Sequence, residues 1–207
     1  MSISPQDILK PLHRPPRWEG WIPTHSGVGF CVISPKPQNV RLEDIAYGIA
    51  YKYRFGGQVA PLTVAEHSCL VANIISILWP DSGKALHGLM HDACEAYTHD
   101  IQAPVRQFIK AQMPDGQLIS WGDLERMINQ TIARALNLEP YFYTVPEVRA
   151  ADILALVVEK SQCGPIKDQN WGLPPIPEEL EHLRLRFWPP KTAMKMFLDC
   201  YEALTEG

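Results

Sequence analysis

Between residues 42 and 162, apolar side chains recur every three or four positions, and proline or glycine punctuates the runs. That interval lines one face of an α-helix, whereas a half-buried strand alternates every second residue. The strand signal is weak, so the expected class is all-α, a compact helical bundle on one core. Leu42 to Tyr53 reads as a short helix, opened by Glu43 and Asp44 and broken at Gly56-Gly57. Thr63 is an N-cap with Glu66 three residues on, as in a capping box, before Val64, Leu70, Val71, Ile74, Ile75 and Leu78. A second helix is expected from Ser82 to Thr98, and a third from Pro104 to about Gln112, ended by the loop MPDGQ. Gly122 to Asn137 is amphipathic. Pro146 opens another helix, with a stripe of Val148, Ala151, Leu154, Ala155 and Val158.

The flanks differ. Residues 1–41, rich in Pro, Gly and Trp, read as an irregular N-terminal arm with a small hairpin around Trp21-Ile22 and Phe30 to Ile33. Residues 163–207 read as a proline-rich C-terminal wrap, with at most one short helix near Glu178 to Leu185, and a last helix over about Thr192 to Leu204. A chain of 207 residues suits a single domain spanning 1–207, its core at about 42–162. The formal charge of −4 gives no pull toward duplex nucleic acid or an anionic membrane, so an anionic substrate must be held by local Arg or Lys. Five cysteines without a CxxC pair read as reduced thiols. With no apolar signal core and no bilayer-length run, a cytoplasmic protein is expected.

The chemistry concentrates in His91-Asp92-Ala93-Cys94-Glu95-Ala96-Tyr97-Thr98-His99-Asp100. An imidazole and a carboxylate stand side by side at the end of the apolar run Leu86 to Met90. Ionisable neighbours on a buried helix are costly unless compensated, and a divalent cation compensates them. Imidazole nitrogen with carboxylate oxygen suits Zn, Co, Mn, Fe or Ni. Glu95, four residues after His91 and three after Asp92, reaches the same helix side, and Asp100 lies just past the helix end. Further ligands must come from other helices. His67 and Asp152 each stand where the apolar pattern wants a core residue.

The order His67, His91-Asp92, Asp152 resembles the HD superfamily of metal-dependent phosphohydrolases, whose ligands follow H…HD…D. The likeness is nearer to the small bacterial and phage branch of 5′-deoxynucleotidases and phage dATP triphosphohydrolases. It rests on Arg54-Phe55-Gly56-Gly57, on Ser68 after His67 in VAEHS, on HDACEAYTHDI with Pro104 and Arg106 beyond it, and on Ala151-Asp152, over roughly residues 20–162. The resemblance implies a helical HD-domain fold with one divalent transition metal held by His67, His91, Asp92 and Asp152. It implies Glu95 as the acid that orients or deprotonates the attacking water, and Asp100 as an acid that assists catalysis or reads the deoxyribose. It further implies Arg54 as a phosphate ligand and Arg106 as a second phosphate contact. Phe55, where relatives often carry Trp, would stack on sugar or base, and the arm and the loop near Gly57 would supply base contacts. The expected activity is hydrolysis of a deoxynucleotide, first a dNTP such as dATP to deoxynucleoside and triphosphate, with dNMP dephosphorylation or catalytically silent nucleotide binding as the alternatives. A triphosphate would bring additional Mg²⁺ near Glu95 and Asp100, and the resemblance is compatible with a homo-oligomer.

Other polar residues read as structural. His87 forms HxxxH with His91 but lacks the adjacent Glu of zinc helices, so it reads as a support or core residue. Cys94 reads as a packed thiol, His99 as exposed, Glu159 as an ion-pair partner and the tryptophans as packing residues.

Overall fold

The structure, a computed structural model, describes residues 20–206. The first part of the arm, with Trp18, therefore lies outside the described residues. The chain is a helical bundle with two small hairpins, β1 (Trp21–Ile22) with β2 (Phe30–Cys31) and β3 (Lys110–Gln112) with β4 (Leu118–Ser120), both antiparallel. The helices are α1 (Leu42–Ala50), α2 (Val64–Leu78), α3 (Ala85–Met90), α4 (Glu95–Thr98), α5 (Ala103–Arg106), α6 (Trp121–Leu136), α7 (Pro146–Gln162) and α8 (Pro190–Glu206).

Helix α2 is the hub, packing on α1, α3, α7 and α8. Val64, Ala65 and Ala72 enter one core with Ile45, Ile49, Met90, Ile132 and Phe197, while Val71, Ile74 and Ile75 enter a second with Val148, Ala151, Ala155 and Leu180. Apolar residues on two faces are what a central helix requires. Thr63 caps α2, its side chain accepting from the Glu66 amide at 3.1 Å. The Glu66 carboxylate takes the amides of Arg186, Phe187 and Trp188 at 2.6, 3.0 and 2.7 Å. It thus clasps the C-terminal wrap to α2, in place of the reciprocal cap expected from the sequence.

Two helix expectations need correction. The helix placed over Pro104 to Gln112 stops at Arg106, and β3 and β4 follow. MPDGQ is a hairpin turn: Gly116 takes φ +86°, and Asp115 Oδ1 accepts from the Gln117 amide at 2.9 Å. The helix placed over Ser82 to Thr98 is two pieces joined by a tightened turn. There Ala93, Glu95 and Ala96 donate to the carbonyls three residues back, at 2.9, 2.9 and 3.2 Å. Ser120 starts α6 through a capping box with Asp123.

Candidate metal centre

Three elements converge on one point. His67 comes from the first turns of α2, His91 and Asp92 from the turn after α3, and Asp152 from α7. Gly88 makes the approach of α3 possible, since a Cβ there would lie 2.5 Å from Ile75 Cδ1. The Gly88 carbonyl also receives His91 Nδ1 at 2.8 Å. A carbonyl only accepts, so His91 carries its proton on Nδ1 and turns the Nε2 lone pair inward. A neutral His67 does the same through an acid, with Nδ1 2.6 Å from Glu159 Oε1. The two Nε2 atoms then face each other at 3.3 Å. Two neutral imidazoles so oriented offer lone pair to lone pair and no hydrogen bond. Two nitrogens bound at about 2.0–2.1 Å to one tetrahedral ion stand about 3.3–3.4 Å apart.

The carboxylates complete the set. Asp152 Oδ1 lies 3.3 Å from His67 Nε2 and 3.9 Å from His91 Nε2, and Asp92 Oδ2 lies 3.4 and 3.2 Å from the same atoms. Donor atoms of His67, His91 and Asp152 all fall within 4.8 Å of one another, so this cluster can hold a metal ion. Burial opposes ionisation of Asp92, yet His91 and His67 hold its carboxyl well below the usual range. Burial also opposes ionisation of Asp152, and the His67 hydrogen bond with the charge of His91 lowers it. Burial and Arg54 push His67 down, but Glu159, Asp152 and Asp92 outweigh them and raise it well above the ordinary imidazole value. From protein groups alone the cluster therefore calls for positive charge at Nε2, which a proton or a cation meets.

Glu159 is the residue whose part the sequence reading understated. It is fully buried, one turn-pair along α7 from Asp152, and it divides its oxygens: Oε1 to His67 and Oε2 to Arg54 Nη2 at 3.3 Å. Despite burial, Arg54 and His67 keep its carboxyl below the normal range. A carboxylate behind a ligating imidazole fixes tautomer and ring plane. The spacing of seven from Asp152 was the available signal, since it puts both on one face of a helix.

Arg54 reaches the cluster because the loop before α2 folds back, Arg54 N donating to Leu62 O at 2.8 Å and Val64 N to Lys52 O at 2.9 Å. It also approaches Asp92 at 3.8 Å, and its Nε is buried without a partner. Burial disfavours its charge, but Glu159 and Asp92 raise its affinity for the proton. Phe55 holds φ +57°, a left-handed conformation rare for a bulky residue, with its ring 5.7 Å from Arg54 Cζ. Its ring also lies 6.3 Å from that of Trp171; that tryptophan is exposed and is not core packing.

Glu95 and Asp100 are tied to this group by charge. Burial, then Asp92 and Asp100, push the Glu95 carboxyl well up; burial raises Asp100 against the pull of Arg54. Glu95 Oε2 and Asp100 Oδ2 are both buried without a hydrogen-bond partner. Gly57 lies beyond the cluster on the wall of a neighbouring cavity, at φ +72°. Arg106 is exposed and pairs with Glu125 at 3.2 Å. His87 stays off the cluster, buried beside Phe142. His99 is exposed and Cys94 buried, as expected.

The sequence reading had no signal for Lys52. Its Nζ donates to the Glu95 carbonyl at 2.6 Å and to that of Ala96, and burial lowers its pKa to about 8 although Glu95 opposes the shift. A neutral amine has the two hydrogens that two carbonyls require.

Among the described residues no helix is long and apolar enough to cross a membrane. No protein-family model matches the chain. It is similar to the uncharacterized protein YfdR of Escherichia coli K12, at 27% identity over 191 residues covering 90% of this chain and 96% of that one. It is also similar to an uncharacterized protein of Rhodobacter capsulatus, at 28% over 196 residues covering 89% and 95%. Both likenesses therefore run over nearly the whole of each chain.

Proposed function

We propose that the protein is a metal-dependent phosphohydrolase of the HD type acting on deoxynucleotides, with triphosphate release from a dNTP such as dATP as the first activity to test and dNMP dephosphorylation as the second. The observation that carries this reading is the pair of inward-facing Nε2 atoms of His67 and His91 at 3.3 Å, flanked by Asp92 and Asp152. One divalent transition metal held there supplies Lewis acidity toward a phosphoryl oxygen and toward water. Arg54 offers a guanidinium whose Nε has no protein partner, suited to charge on a phosphoryl group. Glu95, whose carboxyl is raised by burial and by Asp92 and Asp100, is suited to holding and passing a proton at Oε2. Asp100, raised in the same way, is placed by this reading against the deoxyribose. Arg106 is the weakest member of the set, since it serves Glu125 on the surface.

The test is elemental analysis of the purified protein beside a panel of dATP, dAMP and ATP, with phosphate and triphosphate release measured separately. The expected result is one transition metal per chain and turnover of deoxynucleotides over ATP. Glu95→Ala is expected to keep the metal and lose about 10²- to 10⁴-fold in rate. Absence of turnover across the panel with metal bound would overturn the enzymatic reading.

A further inference from the structure

Beside the metal cluster lies a cavity of about 670 Å³, within the size range of small-ligand sites. Its wall includes three rings in a row. His25 stacks on Tyr47 with centroids 4.0 Å apart and planes 6° from parallel, and Tyr47 stacks on Tyr51 at 4.4 Å and 27°. The row is built deliberately from two elements. Tyr47 and Tyr51 are one helical turn apart at the end of α1, and His25 comes from the loop joining β1 to β2. A buried carboxylate ties that loop down: Asp44 on α1 accepts from the Ser26 amide at 2.6 Å and from its hydroxyl at 2.8 Å. Thr24 Oγ1 closes the same loop on Val28 O at 2.6 Å.

Polar groups meet this aromatic wall. Lys52 and His99 line the cavity, and so does Asp100, whose Oδ2 is buried without a partner. Asp100 lines the cavity and feels the charges of Arg54, Asp92, His67 and Glu159 in the cluster. Gly56 and Gly57 form part of the rim, leaving backbone without side chains there.

We propose that this cavity is a base-recognition subsite, in which a nucleobase extends the His25–Tyr47–Tyr51 row while its sugar meets Asp100. The inference deepens the phosphohydrolase reading and rests on it for the identity of the ring-bearing ligand. A purely apolar ring would leave Asp100, whose Oδ2 has no protein partner, without use. A phosphate alone would leave the aromatic row without use. A nucleoside engages both.

The experiment measures binding and does not need turnover. Labelled deoxyadenosine is dialysed to equilibrium against the full-length protein and against Asp152→Ala, with unlabelled 2-deoxyribose as competitor. Deoxyadenosine is expected to bind both proteins and to resist displacement by deoxyribose. Tyr51→Ala is expected to weaken binding about 5- to 150-fold, the range for loss of one stacked base. Tyr51→Trp is expected to keep it. Tyr51→Leu, which retains bulk and guards against misfolding, is expected to behave like Tyr51→Ala, with circular dichroism confirming the fold of each. Equal binding by wild type and Tyr51→Leu, or displacement by deoxyribose, would overturn the subsite. Ring-dependent binding together with no hydrolysis of any nucleotide would support the subsite while removing the phosphohydrolase reading.

Discussion

Each imidazole of the candidate cluster is aimed by what lies behind it. The Gly88 carbonyl does this for His91, and Glu159 does it for His67. Glu159→Gln keeps the shape but removes the charge and one of the two accepting oxygens, so His67 and Arg54 no longer share a carboxylate. The expected outcome is metal affinity lower by about 10- to 100-fold with the fold retained, read by competition with a chelator. Lys52 makes a second residue-scale prediction. Its folded pKa is about 8 against 10.5 for an ordinary lysine, with burial as the main cause. Below pH 8 the folded state must bury a charge. Between about 8 and 10.5 the unfolded chain binds more protons than the folded one, so this site's contribution to stability rises with pH across that window. Denaturant midpoints at pH 7.5 and 10 should show the rise in wild type relative to Lys52→Met; equal pH responses in the two proteins would contradict it.

At the scale of elements, the contact of α3 with α2 sets the distance between His91 and His67. Gly88 permits it, because any side chain there meets Ile75 Cδ1. Gly88→Ala is expected to destabilise the protein by about 1–3 kcal/mol through overpacking and to reduce metal retention, because α3 must retreat. Ile75→Val removes the Cδ1 that clashes, so the double variant should recover part of both losses. A double-mutant cycle in thermal unfolding and metal content measures the recovery, and strict additivity would argue against this account. The turn at residues 91–94 belongs to the same scale. Its three-residue hydrogen bonds separate α3 from α4, and burial surrounds both Glu95 and His91.

For the whole molecule, the candidate cluster ties together α2, the turn after α3 and α7, which belong to both hydrophobic cores. An ion bound there holds elements from separate parts of the chain and stabilises only the folded state. At a free metal concentration of about 100 times Kd the gain is about 2.7 kcal/mol, which for a chain of this size corresponds to roughly 5–11 °C in melting temperature. A thermal scan with added Zn²⁺ or Mn²⁺ should show this rise, a chelator should reverse it, and Asp152→Ala should abolish it.

The helical class, the hairpin at Trp21 and Phe30, the cap at Thr63 and the candidates His67, His91, Asp92 and Asp152 were legible in the sequence, because periodicity and misplaced polar residues are local signals. The hairpin at Lys110 to Ser120 and the broken helix at His91 were not, because a short segment's own propensity does not reveal the partner strand or the packing that overrides it. Glu66 looked like a local cap, and only the folded chain brings residues 186–188 to it. The same holds for Glu159 between His67 and Arg54, and for the row of His25, Tyr47 and Tyr51. Such pairings join residues far apart in the chain, and their distances exist only once the cores have closed.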